Sequence, residues 1–262
     1  MSDGWRLYAD EGNSALKWAA RAAGRWVADG RLPIEGLGCA ALQAAVIDAG
    51  LDPGACTGAA LVSSRPSRAE AAERLLAELA WADVRLLGRD IFAQIEVDYR
   101  DPSEIGQDRL AAAEGALALH GAPAIVLTLG TCLTAQALDD AGRLVGGIIA
   151  AGLQAQVAGI VESVPHLRAP LLRGLELLRA GEAPASGRST DENLAAGLRA
   201  ALLGAIDAMV AAMREQVGDA PVIATGGDAE LAGALGARFG RIEPLLVLEG
   251  LRAVDERTSD GR

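Results

Sequence analysis

Apolar residues fall into short continuous runs and longer stretches of helical spacing, and the two patterns alternate along the chain. Short runs bounded by Gly, Pro, Asn, Asp or Ser are typical of strands, whereas a period near 3.6 is typical of helices. The runs predict strands at residues 6–10, 15–27, 59–62, 84–87, 124–129, 133–138, 144–150 and 222–224. The spacing predicts helices at residues 37–49, 68–81, 109–120 and 231–239, with further helices between 151 and 221 and a last apolar run at 245–248.

The order of elements in the first half of the chain recurs in the second half. Each half opens with a strand, a tight turn that contains glycine, a second strand and later helices. A duplication of this length differs from the short repeats of solenoids and favours a mixed β-sheet flanked by helices in each half. The sequence therefore predicts an α/β protein with two domains, residues 1–115 and 116–262.

Composition and charge restrict the class of protein. Hydrophobic residues make up 51% of the 262 residues and charged residues 23%, as in a folded globular chain. The formal net charge is -11, so we expect no binding to nucleic acid, which requires a basic surface. Residues 115–138 and 144–161 carry few charges, but their glycines and polar residues favour buried strands and turns over membrane spans.

The cysteines and the first residues of the sequence indicate the cellular compartment in which the protein is expected. Cys39, Cys56 and Cys132 lack metal-ligand spacing and are an odd number in a chain long enough to fold without disulfides. Free thiols are typical of a reducing cytoplasm. No basic region followed by an apolar run opens the sequence, so we expect a cytoplasmic protein without a signal peptide.

The first glycine turn carries residues suited to phosphate. Asp10 ends a predicted strand, Gly12 allows close backbone approach, and Asn13 and Ser14 offer hydrogen-bond donors. Lys17 adds a positive charge. Such a turn can cradle a phosphate while Asp10 holds Mg²⁺ through water. The alternative is an ordinary polar hairpin turn.

Two later turns repeat this chemistry. Gly130 and Thr131 follow a strand at the corresponding place in the second half, and Gly226 and Gly227 precede a predicted helix. The N–H groups at a helix N-terminus attract anions. Three such turns, two of them at equivalent positions, favour phosphate binding over coincidence.

The ordered set of motifs resembles the superfamily of acetate kinase, sugar kinases, Hsp70 and actin, in which two RNase H-like domains close over a nucleotide. Within it, the residues around Asp10 and Lys17 resemble the D-x-G-N-[TS]-x-x-K signature of type III pantothenate kinases, and residues 106–109 resemble their G-x-D-R motif. The matching blocks occur in family order at residues 10–17, 106–109, 130–134, 146–153, 187–190, 225–229 and 246–251.

The resemblance implies ATP-dependent phosphorylation of pantothenate to 4'-phosphopantothenate, the first step of coenzyme A synthesis, with Mg²⁺. The family's base maps to Asp108, which would accept the proton of the acceptor hydroxyl. From the residues alone, Asp108 is equally an N-cap or first-turn acid of a helix. The family also implies a homodimer. Two other functions stay open: a catalytically impaired homologue that binds a ligand or regulates, and a kinase of another small hydroxy acid.

Further residues gain a substrate role from the same resemblance. They are Tyr99, Gly106, Gln107, Arg109 and Thr190. Structural alternatives are packing for Tyr99, a surface position on a helix for Arg109, and helix N-capping for Thr190. The resemblance itself leaves Arg109 two roles, contact with the substrate or ordering of the loop by pairing with an acid.

The second phosphate block departs from the family pattern. Thr128 stands where the family has an Asp associated with a monovalent cation, K⁺ or NH₄⁺. Gln136, Cys132 and Ala151 also replace the usual Asp, Ala and Pro. Because Thr carries no formal charge, it would hold a cation far less firmly. Either the cation site is dispensed with, or its charge is supplied from elsewhere, or activity is lost.

Overall fold

The computed structural model describes residues 4–64, 70, 72–74, 76–77 and 83–260. The chain divides into two compact units. Unit 1 comprises Met1–Gly121 and Leu245–Arg262, and unit 2 comprises Ala122–Pro244. The predicted division at 115/116 differs from this for two reasons: a helix of unit 1 continues to His120, and the last helix of the chain packs on unit 1.

Unit 1 is built on a mixed sheet. Its described strands are β1 (Trp5–Glu11), β2 (Ala15–Ala22), β3 (Arg25–Pro33), β4 (Cys56–Ser63) and β5 (Val84–Leu86), in the spatial order β3-β2-β1-β4-β5. The first three strands are antiparallel neighbours, whereas β4 runs parallel to β1 and β5 parallel to β4.

The predicted strand at 15–27 is wrong in one respect, because it spans a hairpin. Ala23 and Gly24 adopt positive φ angles of 48° and 75°, which turn the chain between β2 and β3. Glycine reaches this region without strain, and its place in the sequence is the local signal for the turn.

Side chains alternate across β1 and so divide unit 1 into two layers. Leu7 and Ala9 face a core that includes Leu42 of α1 (Cys39–Asp48). Tyr8, on the opposite face, hydrogen-bonds Asp255 of the last described helix. Helices α1 and α2 (Gln107–His120) confirm two predicted helices, whereas the predicted helix 68–81 lies largely outside the described residues.

Unit 2 repeats the sheet of unit 1. Its described strands are β6 (Ala124–Leu129), β7 (Cys132–Leu138), β8 (Leu144–Ala151), β9 (Val222–Thr225) and β10 (Arg241–Ile242). Their order, β10-β9-β6-β7-β8, has the same antiparallel hairpins and the same parallel neighbours as unit 1. The predicted duplication, and with it the α/β fold of two mixed sheets flanked by helices, is therefore confirmed.

Helices complete both units. Unit 2 holds α3 (Leu153–Ser163), α4 (Arg168–Arg179), α5 (Thr190–Val217) and α6 (Ala229–Ala234), and α7 (Leu246–Asp260) belongs to unit 1. Among the described helices, α5 alone is long and apolar enough to cross a membrane. One of its faces packs into the core of unit 2 through Leu198, Leu202, Ile206, Met209 and Met213. The run at 245–248 opens α7, and α6 is shorter than predicted because Gly236 turns the chain with a φ of 110°.

Candidate functional site

The turn after β1 and the strand ends beside it carry Asp10, Glu11 and Lys17, and we call residues 10–17 the first corner. Asp10 is paired in register with Lys17 of β2, so both side chains lie on one face of the sheet. The Lys17 Nζ lies 3.8 Å from the Asp10 Oδ2. Between them, the Gly12 N–H donates to the Ala15 carbonyl at 3.1 Å and closes the turn.

The carboxyl group of Asp10 has a strongly raised pKa. Burial is the main cause and raises the pKa to about 6; Lys17 acts against it, while the negative charges of Asp108 and Glu11 add to it. Asp10 is 6% exposed. A buried acid with a shifted pKa and a charged neighbour is a candidate functional group.

Asp10 also meets the requirements of a Mg²⁺ ligand. Its carboxylate is a hard oxygen donor at the carboxyl end of a strand. Among the described residues no group of three His, Cys, Asp or Glu could hold a metal ion. Proteins bind Mg²⁺ through one or two carboxylates while phosphate and water supply the other ligands, and Asp10 is a carboxylate of this kind.

Asp108 lies in the first turn of α2, close enough to influence the charge of Asp10. The N-cap position is occupied by Gly106, and no side chain caps the helix. The Asp108 carboxylate lies over Gly106, where a Cβ atom would come within 2.5 Å of its Oδ1. Asp108 is thus a first-turn acid and not the N-cap, and the adjacent glycine leaves room for its carboxylate.

Three other residues of unit 1 to which the resemblance gives a substrate role lie in different surroundings. Gln107 packs over Gly88, whose φ is 88°. The Arg109 Nη2 donates to the backbone carbonyl of Glu104, in the turn before the helix, at 3.3 Å. Tyr99 is half-buried in the irregular segment that precedes α2.

The turn after β6 is the equivalent place in unit 2, and we call residues 128–134 the second corner. The Gly130 N–H donates to the Cys132 carbonyl at 3.1 Å, as Gly12 does to Ala15 in the first corner. Cβ atoms on Gly152 or Gly226 would overlap the Gly130 or Leu129 carbonyl oxygen, respectively. The structure thus brings three glycine-bearing segments of unit 2 together, and Gly227 follows directly in the last of them.

Thr128 takes the place of Asp10 in the second corner. It is paired in register with Thr134 of β7 and Thr225 of β9, so three threonines form a row across the sheet. The Oγ1 atoms of Thr134 and Thr225 are buried without a hydrogen-bond partner among the described residues. The row supplies neutral hydroxyl groups only. It therefore does not fit a site that holds a monovalent cation by charge.

Thr190 is the exposed first residue of α5. The cap of this helix is Ser189, whose Oγ accepts a hydrogen bond from the Glu192 N–H at 3.2 Å. The capping role named as the alternative for Thr190 therefore belongs to its neighbour, and the Thr190 hydroxyl is left for other contacts.

Three buried acids of unit 1 were missed at the sequence level: Glu11, Glu114 and Asp255, the partner of Tyr8. Glu11, 4% exposed, accepts a hydrogen bond from Ser63 of β4. Glu114, 2% exposed, accepts one from Arg257 of α7 at 2.6 Å. Local sequence does not indicate these contacts, because each partner lies far away along the chain.

Known proteins resemble the chain in sequence and in fold. A family model described as type III pantothenate kinase matches residues 6–212. A type III pantothenate kinase of Thiobacillus denitrificans is 33% identical over 96% of both chains, and one of Moorella thermoacetica is 30% identical over 80% of both. The activator of 2-hydroxyisocaproyl-CoA dehydratase from Clostridium difficile, solved with bound ADPNP, has a TM-score of 0.60 at 13% identity, covering 98% of this chain and 97% of that one. This likeness shows the fold alone.

Proposed function

Because the chain belongs to the type III pantothenate kinase family, we propose that it transfers the γ-phosphoryl group of ATP to the primary hydroxyl of pantothenate. The hydroxyl oxygen forms a bond to the γ-phosphorus as the bond to the bridging oxygen of ADP breaks. The hydroxyl proton passes to a carboxylate. The products are ADP and 4'-phosphopantothenate, at the first step of coenzyme A synthesis.

One observation carries this proposal: buried Asp10 lies at one end of the unit 1 sheet with the Lys17 Nζ 3.8 Å from its Oδ2, and the negative charge of Asp108 contributes to the raised pKa of Asp10. Phosphoryl transfer needs little covalent help from the protein, so positioning and charge neutralisation dominate. Asp108 is assigned to orient the acceptor hydroxyl and accept its proton. The glycine beside Asp108 supports this role, since it keeps the carboxylate accessible.

The phosphates of ATP are assigned to the glycine turns. In the first corner, Asn13 and Ser14 are assigned as donors, Gly12 allows close approach of the backbone, and Lys17 offers a positive charge. In the second corner, donors are assigned to Thr131 and to the turn at 226–227, and Gly130 allows close approach. Asp10 would hold Mg²⁺ through water, and the ion would neutralise charge on the phosphates.

The second corner is proposed to work without a monovalent cation. The threonine row of Thr128, Thr134 and Thr225 presents no charge to an ion. Of the three explanations of the Thr128 substitution, we favour an active enzyme that has dispensed with the cation, because Asp10 and Lys17 remain paired in the first corner and Asp108 acts on the charge of Asp10.

The acceptor is assigned to the residues at and before the start of α2. These are Tyr99, Gly106, Gln107 and Arg109, with Thr190 as a further contact. The cytoplasm is the proposed location, in keeping with the three free cysteines. A homodimer is proposed because α5 carries an apolar stretch of which only 28% is buried within the chain. Sedimentation of the purified protein tests the dimer.

The test of the function is release of ADP by the purified protein with ATP and Mg²⁺. We expect release that depends on pantothenate and a product that gains one phosphoryl group. An analogue in which hydrogen replaces the primary hydroxyl is the control and should give no release. Nucleotide binding without pantothenate-dependent release, in any salt, would favour a regulatory protein. Release with another small hydroxy acid alone would reassign the substrate.

A further inference from the structure

Glu114 is a buried acid that the proposed chemistry does not use. It lies on α2, two turns after Asp108, and is 2% exposed. An ionised carboxylate is costly to bury unless hydrogen bonds and an opposite charge compensate it. Its partners therefore show what it stabilises.

Both oxygens of Glu114 are used, and they connect three parts of unit 1. The Oε1 accepts hydrogen bonds from the backbone N–H groups of Gln94 and Ile95, at 2.6 and 3.1 Å. The Oε2 accepts one from the Arg257 Nη2 at 2.6 Å. Through one side chain, α2 is joined to α7 and to the irregular segment before the helix.

Helices α2 and α7, which carry Glu114 and Arg257, are rigidly packed against each other. A Cβ atom at Gly115 would overlap the Leu246 carbonyl oxygen, and one at Gly250 would overlap that of Ala111. The backbones of α2 and α7 therefore touch at both glycines. Glu114 and Arg257 project from a helix pair whose separation is fixed by this contact.

The segment held by Glu114 leads to the proposed acceptor residues. From residue 92 to 100, exposed and half-buried positions alternate, so Tyr99 shares the inward face with Ile95 and Val97. The chain then enters the short turn Pro102–Glu104, whose N-terminus is capped by Asp101, before reaching Gly106. Fixing the backbone at residues 94–95 thus sets the position of Tyr99.

We propose that Glu114, anchored by Arg257, is a positioning residue that holds the backbone at residues 94–95 and thereby presents Tyr99 to the phosphoryl acceptor. This inference rests on the proposed function, but it concerns a side chain that touches neither substrate. It assigns a role to the ion pair between α2 and α7 that stability alone would not require.

Three variants test the proposal. Glu114→Ala removes both connections, and we expect the KM for pantothenate to rise ~10-fold or more, because small displacements of a positioning group are costly. The KM for ATP should stay near its original value. Glu114→Gln keeps an oxygen for the two N–H groups and should restore most of the affinity. Arg257→Ala leaves the loop bonds in place and should give an intermediate KM.

Glu256→Gln is the matched control, since it weakens ion pairs with Arg252 on the same helix and with Arg21 of β2, neither of which belongs to residues 92–101. Hydrogen exchange at the Gln94 and Ile95 amides gives a readout that is independent of catalysis, and it should accelerate in Glu114→Ala alone among these four variants. Should Glu114→Ala not fold, Glu114→Gln and Arg257→Ala still carry the kinetic comparison.

Faster exchange with an unchanged KM for pantothenate would overturn the role of this segment in acceptor binding. Unchanged exchange would overturn the role of Glu114 in holding it. If the wild-type protein released no ADP with pantothenate, the proposed function would fail and the acceptor role with it. The exchange data would still decide whether Glu114 fixes residues 94–95.

Discussion

The first and second corners share one backbone plan and differ in charge. In each, a glycine N–H closes the turn after the central strand, and the preceding strand residue is paired with the next strand of the hairpin. The first corner places Asp10 opposite Lys17, whereas the second places Thr128 opposite Thr134. The following position is Glu11 in one corner and Leu129 in the other, and both are buried.

This difference separates what the fold requires from what the chemistry requires. Leu129 shows that the turn forms with an apolar residue at the end of the strand, and Thr128 shows that it forms without a carboxylate. Burying Asp10 and Glu11 is unfavourable unless partners compensate the charge. The charges of the first corner are therefore best explained by ligand binding, and changes there should affect activity more than changes in the second corner.

The largest expected effect comes from Asp108. Replacing it with Asn removes the proton acceptor and should lower turnover ~10²–10⁴-fold, the usual range for a positioned acid–base group. ADP release under saturating substrates measures the loss. Asp191 is the second residue of α5, as Asp108 is of α2, so Asp191→Asn serves as the control and should keep turnover close to wild type. A fully active Asp108→Asn enzyme would remove this residue from the mechanism.

The next largest effect is expected at Asp10, and we compare it with the equivalent change in the second corner. Asp10→Asn should lower kcat/KM for ATP ~10²-fold, because it weakens the hold on the Mg²⁺ that would neutralise charge on the phosphates. The variant should also need more Mg²⁺ for half-maximal rate. Thr128→Val, the equivalent change in the second corner, should cost less than about tenfold. Equal losses in both variants would contradict the proposed division of roles.

The raised pKa of Asp10 also predicts a pH-dependent stability. In the unfolded chain the group titrates near 3.8, and burial raises its folded pKa to about 6. Its contribution to stability is thus complete below 3.8 and is lost as the pH rises through 6. Two pKa units correspond to about 3 kcal/mol.

Urea unfolding measures this contribution. The difference in unfolding free energy between Asp10→Asn and wild type should change by about 3 kcal/mol in favour of the variant as the pH rises from acidic values to above 6. Thr128→Val should show no such trend, because it changes no titratable group. A difference between Asp10→Asn and wild type that stays constant with pH would show that Asp10 titrates normally.

The smallest effect is expected from a variant that adds a charge to the second corner. In wild type, ATP affinity should be the same in potassium and tetramethylammonium salts. Thr128→Asp places a carboxylate between two buried hydroxyls, so potassium should then improve ATP affinity ~10-fold, the lower range for a close opposite charge. Calorimetric titration measures both. A strong potassium dependence in the wild-type protein would show that the threonine row holds a cation.

Local patterns predicted most of the strands because these strands are short, mainly apolar segments between polar turns. They failed at residues 15–27, where the apolar and basic residues continue through the Ala23–Gly24 turn. The acidic residues are apparent in the sequence, but their burial and their hydrogen-bond partners are not. Glu11 and Ser63 are 52 positions apart, and Glu114 and Arg257 are 143 apart. No local pattern identifies partners at such separations.

The return of α7 to unit 1 also affects how the protein folds during synthesis. All residues of unit 2 leave the ribosome before α7 does, so unit 2 can close its core while unit 1 still lacks a helix. Until α7 emerges, Asp255 is absent, and Arg6 and Tyr8 lack the carboxylate that they contact in the finished sheet. The unit whose synthesis begins first is therefore the last to be completed, contrary to the usual N-terminal-first order.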